Sequence, residues 1–454
     1  MDLSRRTFLR GTGASALAAL GGPALLAACT PPPFGGVGPA DGPNILTFSL
    51  DDANDYVGYL GGYAGDAQTP NLDALAASGR TFERAYASVP ICFASRASVM
   101  WGQHPSTIEM VDDSAAAHQK FLALTLDNDA PHLAATMAAH GYHTVSRGKT
   151  YHDYRNGRWH TQDTYPSQSE LSGAHPNGPD LFSYGALAPG ASHPDQVTAD
   201  WFSARLTDTY DRPFFMAVGL YQPHVPWQLP QWALDLHPLG SIQLPQGIQG
   251  DLDDVPPHGQ ELAERPTLLG ASNWDRVEDE GTHAQIIRAY LAALSHTDAM
   301  VGQVMNDLAS SPYADDTYVM TWSDHGFHLG EKLHFRKSAL WEQSTRIPLT
   351  LAGPGVASDT FTSPVSLLDF APTVHDLAGA PVPTEWEGQS LLGITPAQAD
   401  ARPANTWWDG AQAVRYQTWR YIEYPDGTSE LYDVAADPDE LTNLTDNPAH
   451  AAMK

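Results

Sequence analysis

The chain of 454 residues is short of cysteine and of positive charge. It has two cysteines, and Cys29 sits in Leu26-Ala27-Ala28-Cys29 behind an N-terminal export signal. Cys92 is therefore the one cysteine that can serve as a functional thiol. Only 24 lysines and arginines stand against 53 aspartates and glutamates, a formal net charge of −29. That balance argues against nucleic acid or an anionic membrane surface as a partner. It does not exclude a small anionic substrate, because net charge governs solubility while the local field governs binding. The apolar stretch after Arg5-Arg6 is short and interrupted by glycine, so it does not span a membrane. No internal repeat is visible. A hydrophobic content of 42% over this length supports one large domain and a smaller one.

What is present centres on Cys92-Phe93-Ala94-Ser95-Arg96, predicted at a helix start with its first turn near Ser95. A lone cysteine reads first as a small buried hydrophobe, but two strand ends change that reading. Asn44 to Leu50 is an apolar, β-branched run ending in Asp51-Asp52, and Thr317 to Ser323 ends in Asp324-His325-Gly326. Both read as buried strands of a parallel sheet, with ligands at the carboxyl edge where open α/β sheets bind them. Three carboxylates converging there would repel unless a cation sits among them. Oxygen-rich ligation favours Ca²⁺ or Mg²⁺ over Zn²⁺.

Strand runs alternate with helical patterns through the first three quarters, which predicts an α/β sandwich. Thr69-Pro70 reads as an N-cap and first helical position, Leu72, Leu75 and Ala76 as one face, and Gly79 as the stop. Tyr142 to Ser146 and Pro213 to Gly219 read as strands feeding Lys149 and His224. Ile287, Leu291, Leu294, Val301 and Leu308 recur at helical spacing, with His296 and Asp298 on that helix as structural or solvent-facing groups rather than ligands. Residues 228–280 read as a long ordered excursion over the site. Val414 to Tyr424, Pro425-Asp426-Gly427 and Glu430 to Val434 read as a β-hairpin.

Taken in order, these pieces resemble the type I sulfatases of the alkaline-phosphatase superfamily. The matching motifs are Asp51-Asp52, Thr69 to Gly79, Cys92 to Arg96 and Gly148-Lys149-Thr150-Tyr151-His152. Gln222-Pro223-His224-Val225-Pro226-Trp227, Ser323 to Gly326, and Lys337 after Gly330-Glu331 complete the series, over about residues 43 to 445. In detail the chain resembles the iduronate 2-sulfatase branch, through the strand entering Pro223-His224, through Asp324-His325 and through the loop from Leu229 to Pro257.

The resemblance implies an alkaline-phosphatase-like α/β/α sandwich over residues 43–390 and a C-terminal antiparallel β subdomain over 391–454. It implies that a formylglycine-generating enzyme oxidises Cys92 to Cα-formylglycine, whose hydrate attacks sulfur. Asp51, Asp52, Asp324, His325 and modified Cys92 would hold one Ca²⁺, and Arg96 would fix the hydrate. Lys149 and Lys337 would bind sulfate oxygens, His152 would be the base, and His224 would protonate the leaving oxygen. The motif departs from its commonest form at Ala94, where Pro is usual. The substrate implied is a sulfated carbohydrate, a 2-O-sulfated uronic acid of a polysaccharide, with Trp227 and the excursion as its sugar-side wall. Residues 103–129 diverge most from the branch. A phosphodiesterase or phosphonate monoester hydrolase, a choline or aryl sulfatase, and a non-catalytic substrate-binding lipoprotein are the alternatives. Ahead of the fold, residues 1–29 read as a twin-arginine signal ending in a lipobox, with a plain signal peptide as the alternative. Residues 30–42 read as a Pro/Gly linker. The expected location is the cell envelope: twin-arginine export, then membrane tethering through a lipid on Cys29.

Overall fold

The computed structural model describes residues 41–127, 130–152, 159, 161–163, 182–246, 249–265 and 273–453. The expected signal, the lipobox with Cys29, and nearly all of the linker lie outside them.

An eight-stranded sheet organises the described chain. In chain order its strands are β1 (Asn44–Asp51), β2 (Arg80–Phe82), β3 (His143–Gly148), β4 (Thr161–Asp163), β5 (Phe214–Pro223), β6 (Thr317–Ser323), β7 (Leu349–Ala352) and β8 (Asp359–Phe361). Their spatial order is β8-β2-β7-β6-β1-β5-β3-β4. Strand β1 is central and parallel to both β5 and β6. Its eight residues are all buried, which accounts for a near-continuous apolar run without polar alternation. Alternate side chains nevertheless enter different cores. Ile45 joins one cluster with Phe93, Trp101, Met137 and Phe370. Leu46, Phe48 and Leu50 join the other, with Phe202, Tyr290 and Leu294. Burial of each such side chain is worth about 1.5–3 kcal/mol. Helices therefore cover both faces, giving the α/β/α sandwich expected.

On the Ile45 face lie α2 (Cys92–Trp101) and α5 (Phe370–Leu377); on the other lie α1 (Pro70–Ser78), α3 (Pro194–Arg205) and the 27-residue α4 (His283–Ala309). Helix α1 begins and ends as expected, but Thr69 does not cap it through its side chain. Thr69 Oγ1 instead accepts from Gly58 N at 2.8 Å. The cap comes from Asp298 on α4, whose carboxylate accepts from Asn71 N (2.9 Å) and Leu72 N (2.7 Å). Asp298 and His296 are both buried, so of the two expected alternatives the structural one holds.

A four-stranded antiparallel sheet follows: β9 (Ala404–Trp408), β10 (Ala411–Tyr416), β11 (Trp419–Glu423) and β12 (Ser429–Asp433). The expected single strand from Val414 to Tyr424 is two strands, turned at Gln417 with φ 51°. The Pro425-Asp426-Gly427 turn then joins β11 to β12 as expected. Among the described residues no helix is long and apolar enough to cross a membrane.

Candidate active site

Four parallel strands deliver their carboxyl ends to one place. Asp51 ends β1, and Asp52 follows in a left-handed turn with φ 67°. That conformation costs a non-glycine residue about 1–2 kcal/mol, and buried hydrogen bonds hold it. Asp52 N donates to Asp324 Oδ1 at 3.1 Å, and Tyr290 Oη donates to the Asp52 carbonyl at 2.8 Å. Strand β6 brings Asp324 and His325. Strand β3 brings Lys149, and here two glycines are required: a Cβ on Gly148 (φ 81°) would meet Gly219 O at 1.9 Å. Strand β5 leads to His224.

Helix α2 starts at Cys92 rather than near Ser95, with Ile91 at the N-cap position. The first helical bond runs from Ser95 N to Ile91 O at 2.9 Å. The unbonded N–H groups of the first turn, which favour anions, therefore begin at Cys92 itself. Ser95 Oγ donates to the Asp324 carbonyl at 2.5 Å and ties the helix to β6.

Around Cys92 the contacts are close. Its Sγ lies 2.8 Å from Lys337 Nζ, 3.2 Å from His325 Nε2 and 3.9 Å from Asp52 Oδ1. Burial, opposed by Lys149 and Lys337, pushes the thiol pKa up to about 12. The unmodified thiol is thus protonated at neutral pH and a poor nucleophile. Arg96 is fully buried and pairs with Asp324 Oδ2 (2.9 Å) and Asp51 Oδ1 (3.3 Å). Lys149 Nζ contacts Asp51 Oδ2, and Lys337 Nζ lies 2.7 Å from Asp52 Oδ1. Burial opposes ionisation of Asp51, but Lys149, His224, Arg96 and Lys337 outweigh it and hold its pKa well below the usual range. For Asp324 burial prevails over Arg96, and its pKa is raised.

Asp51, Asp52 and Asp324 place one oxygen each within 4.8 Å of one another, and Asp52, Cys92 and His325 form a second such group. Asp52 Oδ2 is buried with no hydrogen-bond donor. A buried carboxylate oxygen left this way calls for a cation, so these donors fit a hard divalent ion.

The two candidate proton-transfer histidines flank this centre. His224 Nε2 is 3.8 Å from Asp52 Oδ2, while its Nδ1 is turned to the Val225 carbonyl. Burial lowers its pKa to about 3 against the pull of Asp52. His152 lies at the mouth and is exposed by surface area, yet its ring centroid is 6.1 Å from Phe93 and 6.4 Å from Phe121. Crowding by protein, then the Lys149 charge, lowers its pKa. On the same rim His118, from the segment 103–129, stacks on Phe93 at 4.2 Å.

All nine expected residues other than His152 thus meet at the strand ends, and His152 edges them. Besides the start of α2, one more expectation at the site fails. Trp227 is fully buried, stacked on Phe182 at 5.6 Å with Nε1 bonded to Pro223 O, so it is core and not a sugar-facing wall. Sequence reasoning missed Tyr290 and Lys332, which belong to no motif, and gave Ser95, inside the Cys92 to Arg96 motif, no bond to Asp324. In a further ligand-type group, His193, Asp195 and His296, the first two are engaged by backbone N–H groups. Asp195 accepts from Tyr221 N (2.8 Å) and Gln222 N (2.9 Å), and His193 Nδ1 accepts from Asp195 N (3.0 Å). It fastens the end of β5 that leads to His224.

Acidic strand ends, a buried cysteine and convergent lysines suit the hydrolysis of a charged ester. The Sulfatase family model matches residues 43–380, and the model described as N-sulphoglucosamine sulphohydrolase, C-terminal, matches 330–454. The chain belongs to the sulfatase family and is a sulfuric ester hydrolase. It is 34% identical over 435 residues to a sulfatase of Formosa agariphila, covering 90% of this chain and 84% of that one. It is 30% identical over 441 residues to a choline-sulfatase of Rhizobium meliloti, covering 89% and 83%. Its fold is similar to that of a 2-O GAG sulfatase at TM-score 0.70 and 21% identity, covering 91% and 89%. It is also similar to a phosphonate monoester hydrolase of Agrobacterium radiobacter at TM-score 0.72 and 20% identity, covering 90% and 93%.

Proposed function

We propose that this sulfatase stands with the iduronate 2-sulfatase branch and removes 2-O-sulfate from uronic acid units of a polysaccharide. Its machinery would be Cys92 as formylglycine and one Ca²⁺ held by Asp51, Asp52, Asp324, His325 and modified Cys92. The observation that carries the chemistry is the charge arrangement around Cys92. Three carboxylates (Asp51, Asp52, Asp324) face three cations (Arg96, Lys149, Lys337), and Asp52 Oδ2 has no donor. A divalent ion added to that balance makes the pocket net positive, which suits a sulfate ester. The fold likeness to a 2-O GAG sulfatase supports the substrate class. Choline sulfate is the second reading, favoured by the choline-sulfatase relative.

Cys92 Sγ stands where the oxygens of the hydrated aldehyde would be, and that hydrate supplies a harder nucleophile toward sulfur than a thiol. A calcium ion held by Asp51, Asp52, Asp324 and His325 would supply positive charge that lowers the pKa of the attacking hydroxyl. Arg96, locked between Asp51 and Asp324, holds the first turn of α2 against the strand ends. Lys149, paired with Asp51, and Lys337, beside Asp52 and Cys92, bind sulfate oxygens. His224 presents Nε2, because Nδ1 is committed to Val225 O, and gives its proton to the alcohol oxygen as the S–O bond breaks. The negative sulfate acts on His224 in the same direction as Asp52, favouring the imidazolium. His152 would then accept the proton of the second hydroxyl as the C–O bond to sulfate breaks, sulfate leaves and the aldehyde is restored, and water adds to the aldehyde to give back the hydrate. The balance is ester plus water to alcohol plus sulfate.

The catalytic reading is tested on protein matured with a formylglycine-generating enzyme. The peptide containing Cys92 should carry the aldehyde mass, and sulfated uronate oligosaccharides should be turned over ahead of choline sulfate and phosphodiesters. An unmodified thiol in a fully active preparation would sink the formylglycine reading. Preference for choline sulfate would sink the substrate reading.

Export by the twin-arginine machinery and lipid anchoring on Cys29 complete the proposal, supported by Arg5-Arg6, Leu26 to Cys29 and the linker. Cys29→Ser should release soluble, fully active enzyme; wild type found free of membranes refutes the anchor.

A further inference from the structure

The hairpin that carries Lys337 has an unusual backbone. Lys332, Leu333, Arg336 and Ser338 take φ of 55°, 47°, 83° and 72°, beside Gly330 at 124°. Four side-chain-bearing residues in the left-handed region within seven positions persist only where surrounding structure over-determines them.

Two distant segments supply that restraint through Lys332. Its backbone N donates to Asp251 Oδ2 at 2.9 Å and its Nζ to Asp251 Oδ1 at 2.7 Å. The same Nζ donates to the Glu440 carbonyl, beyond the last strand of the C-terminal sheet. Glu440 is itself fixed, since its Oε2 accepts from Glu342 N at 2.8 Å and its Oε1 pairs with Arg420 Nε at 2.5 Å. Lys332 and Asp251 are 1% and 4% exposed, so this ion pair touches no substrate. A buried ion pair is weak evidence for stability alone. His334 lies on the same path, its Nδ1 2.9 Å from Ala263 O and its Nε2 2.9 Å from Lys337 O; burial keeps the ring neutral, so it donates to one of these carbonyls at a time.

We propose that Lys332 is a positioning residue for Lys337, and that the Asp251–Lys332–Glu440 clamp aims the Lys337 ammonium at Asp52 and Cys92. The C-terminal subdomain thereby contributes to the sulfate site without entering it. This inference rests on the reading of Lys337 as a sulfate-binding group.

A double-mutant cycle on the matured full chain tests it. Lys332→Met is made alone and in a Lys337→Ala background, and sulfate-ester hydrolysis is followed beside thermal melting. Lys332→Met should lower kcat/KM by about 10–100-fold with Lys337 present and by about twofold or less with it absent, because a misaimed group costs rate only while it acts. The kcat and KM changes should divide as they do for Lys337→Ala. Asp251→Asn, nearly isosteric, should behave the same way and serves if Lys332→Met does not fold. Equal losses in both backgrounds would mean that the clamp only holds the fold together, and would overturn the inference. Unimpaired activity of Lys337→Ala alone would instead remove the reading beneath it.

Discussion

Replacing Tyr290 with Phe should damage the site from helix α4. Tyr290 Oη donates to the Asp52 carbonyl at 2.8 Å and accepts from Asn54 N at 2.9 Å. The hydroxyl therefore bridges both sides of the left-handed turn at Asp52. Asp52, Asn54 and Tyr290 are all buried, so removing the hydroxyl strands one carbonyl and one N–H away from water. Each such group costs about 1–3 kcal/mol, offset in part because one hydroxyl no longer has to be desolvated. The net expectation is a loss of about 2–3 kcal/mol, with packing against Phe327 and Trp227 retained. Urea unfolding should show a lower midpoint with an unchanged slope. The turn that aims Asp52 is also loosened, so the affinity for Ca²⁺ should fall with stability. A loss below about 0.5 kcal/mol, within the ordinary range of surface substitutions, would refute the bridge. Lost stability with wild-type metal affinity would refute its link to the site.

Chelation should abolish sulfate-ester hydrolysis and Ca²⁺ should restore it, with Asp324→Asn shifting the metal requirement upward; full activity in metal-free protein contradicts the ligand set. His224→Ala should slow esters of poor leaving groups by about 10²–10⁴-fold and leave acidic aryl sulfates nearly untouched, the mark of a general acid; uniform loss across leaving groups rejects that role. Acidification should destabilise the fold. Burial lowers the pKa of His296 to about 3 and of His237 and His375 to about 4. Their ordinary value is about 6.5. The unfolded chain thus binds protons that the folded chain refuses, so their contribution is complete above about pH 6.5 and shrinks as pH falls. At about 1.4 kcal/mol per histidine per pH unit, the three remove up to about 6 kcal/mol between pH 6.5 and 5. A melting temperature flat over that interval would refute the burial argument.

Strand ends were the most legible part of this protein. An apolar β-branched run followed at once by Asp-Asp or Asp-His is a local pattern, and in a parallel sheet its carboxyl edge is where such residues gather. That is why Asp51, Asp52, Asp324, His325, Lys149 and His224 could be assembled from short stretches of sequence. The α/β alternation likewise follows from local periodicity. A start of α2 near Ser95 is three residues late, because Ile91 at its N-cap position has no capping side chain to mark it. Trp227 is not legible in the same way, because an aromatic residue beside a functional motif reads alike whether it faces solvent or core. It is the stack with Phe182 that decides.

What only the tertiary structure decided is which distant groups complete one another. Asp298 caps α1 from 227 and 226 residues away. Tyr290 steadies Asp52 across 238 residues, and Lys332 joins Asp251 to Glu440. None of these pairs has a local signature, because a hydrogen bond in the interior is selected by the geometry of folded elements and by the cost of leaving either partner unmet. The residue types that carry the chemistry were set by the chain. Their charge balance, and the backbone that aims Lys337 at Cys92, arise only when the sheet, the excursion and the C-terminal strands close on one another.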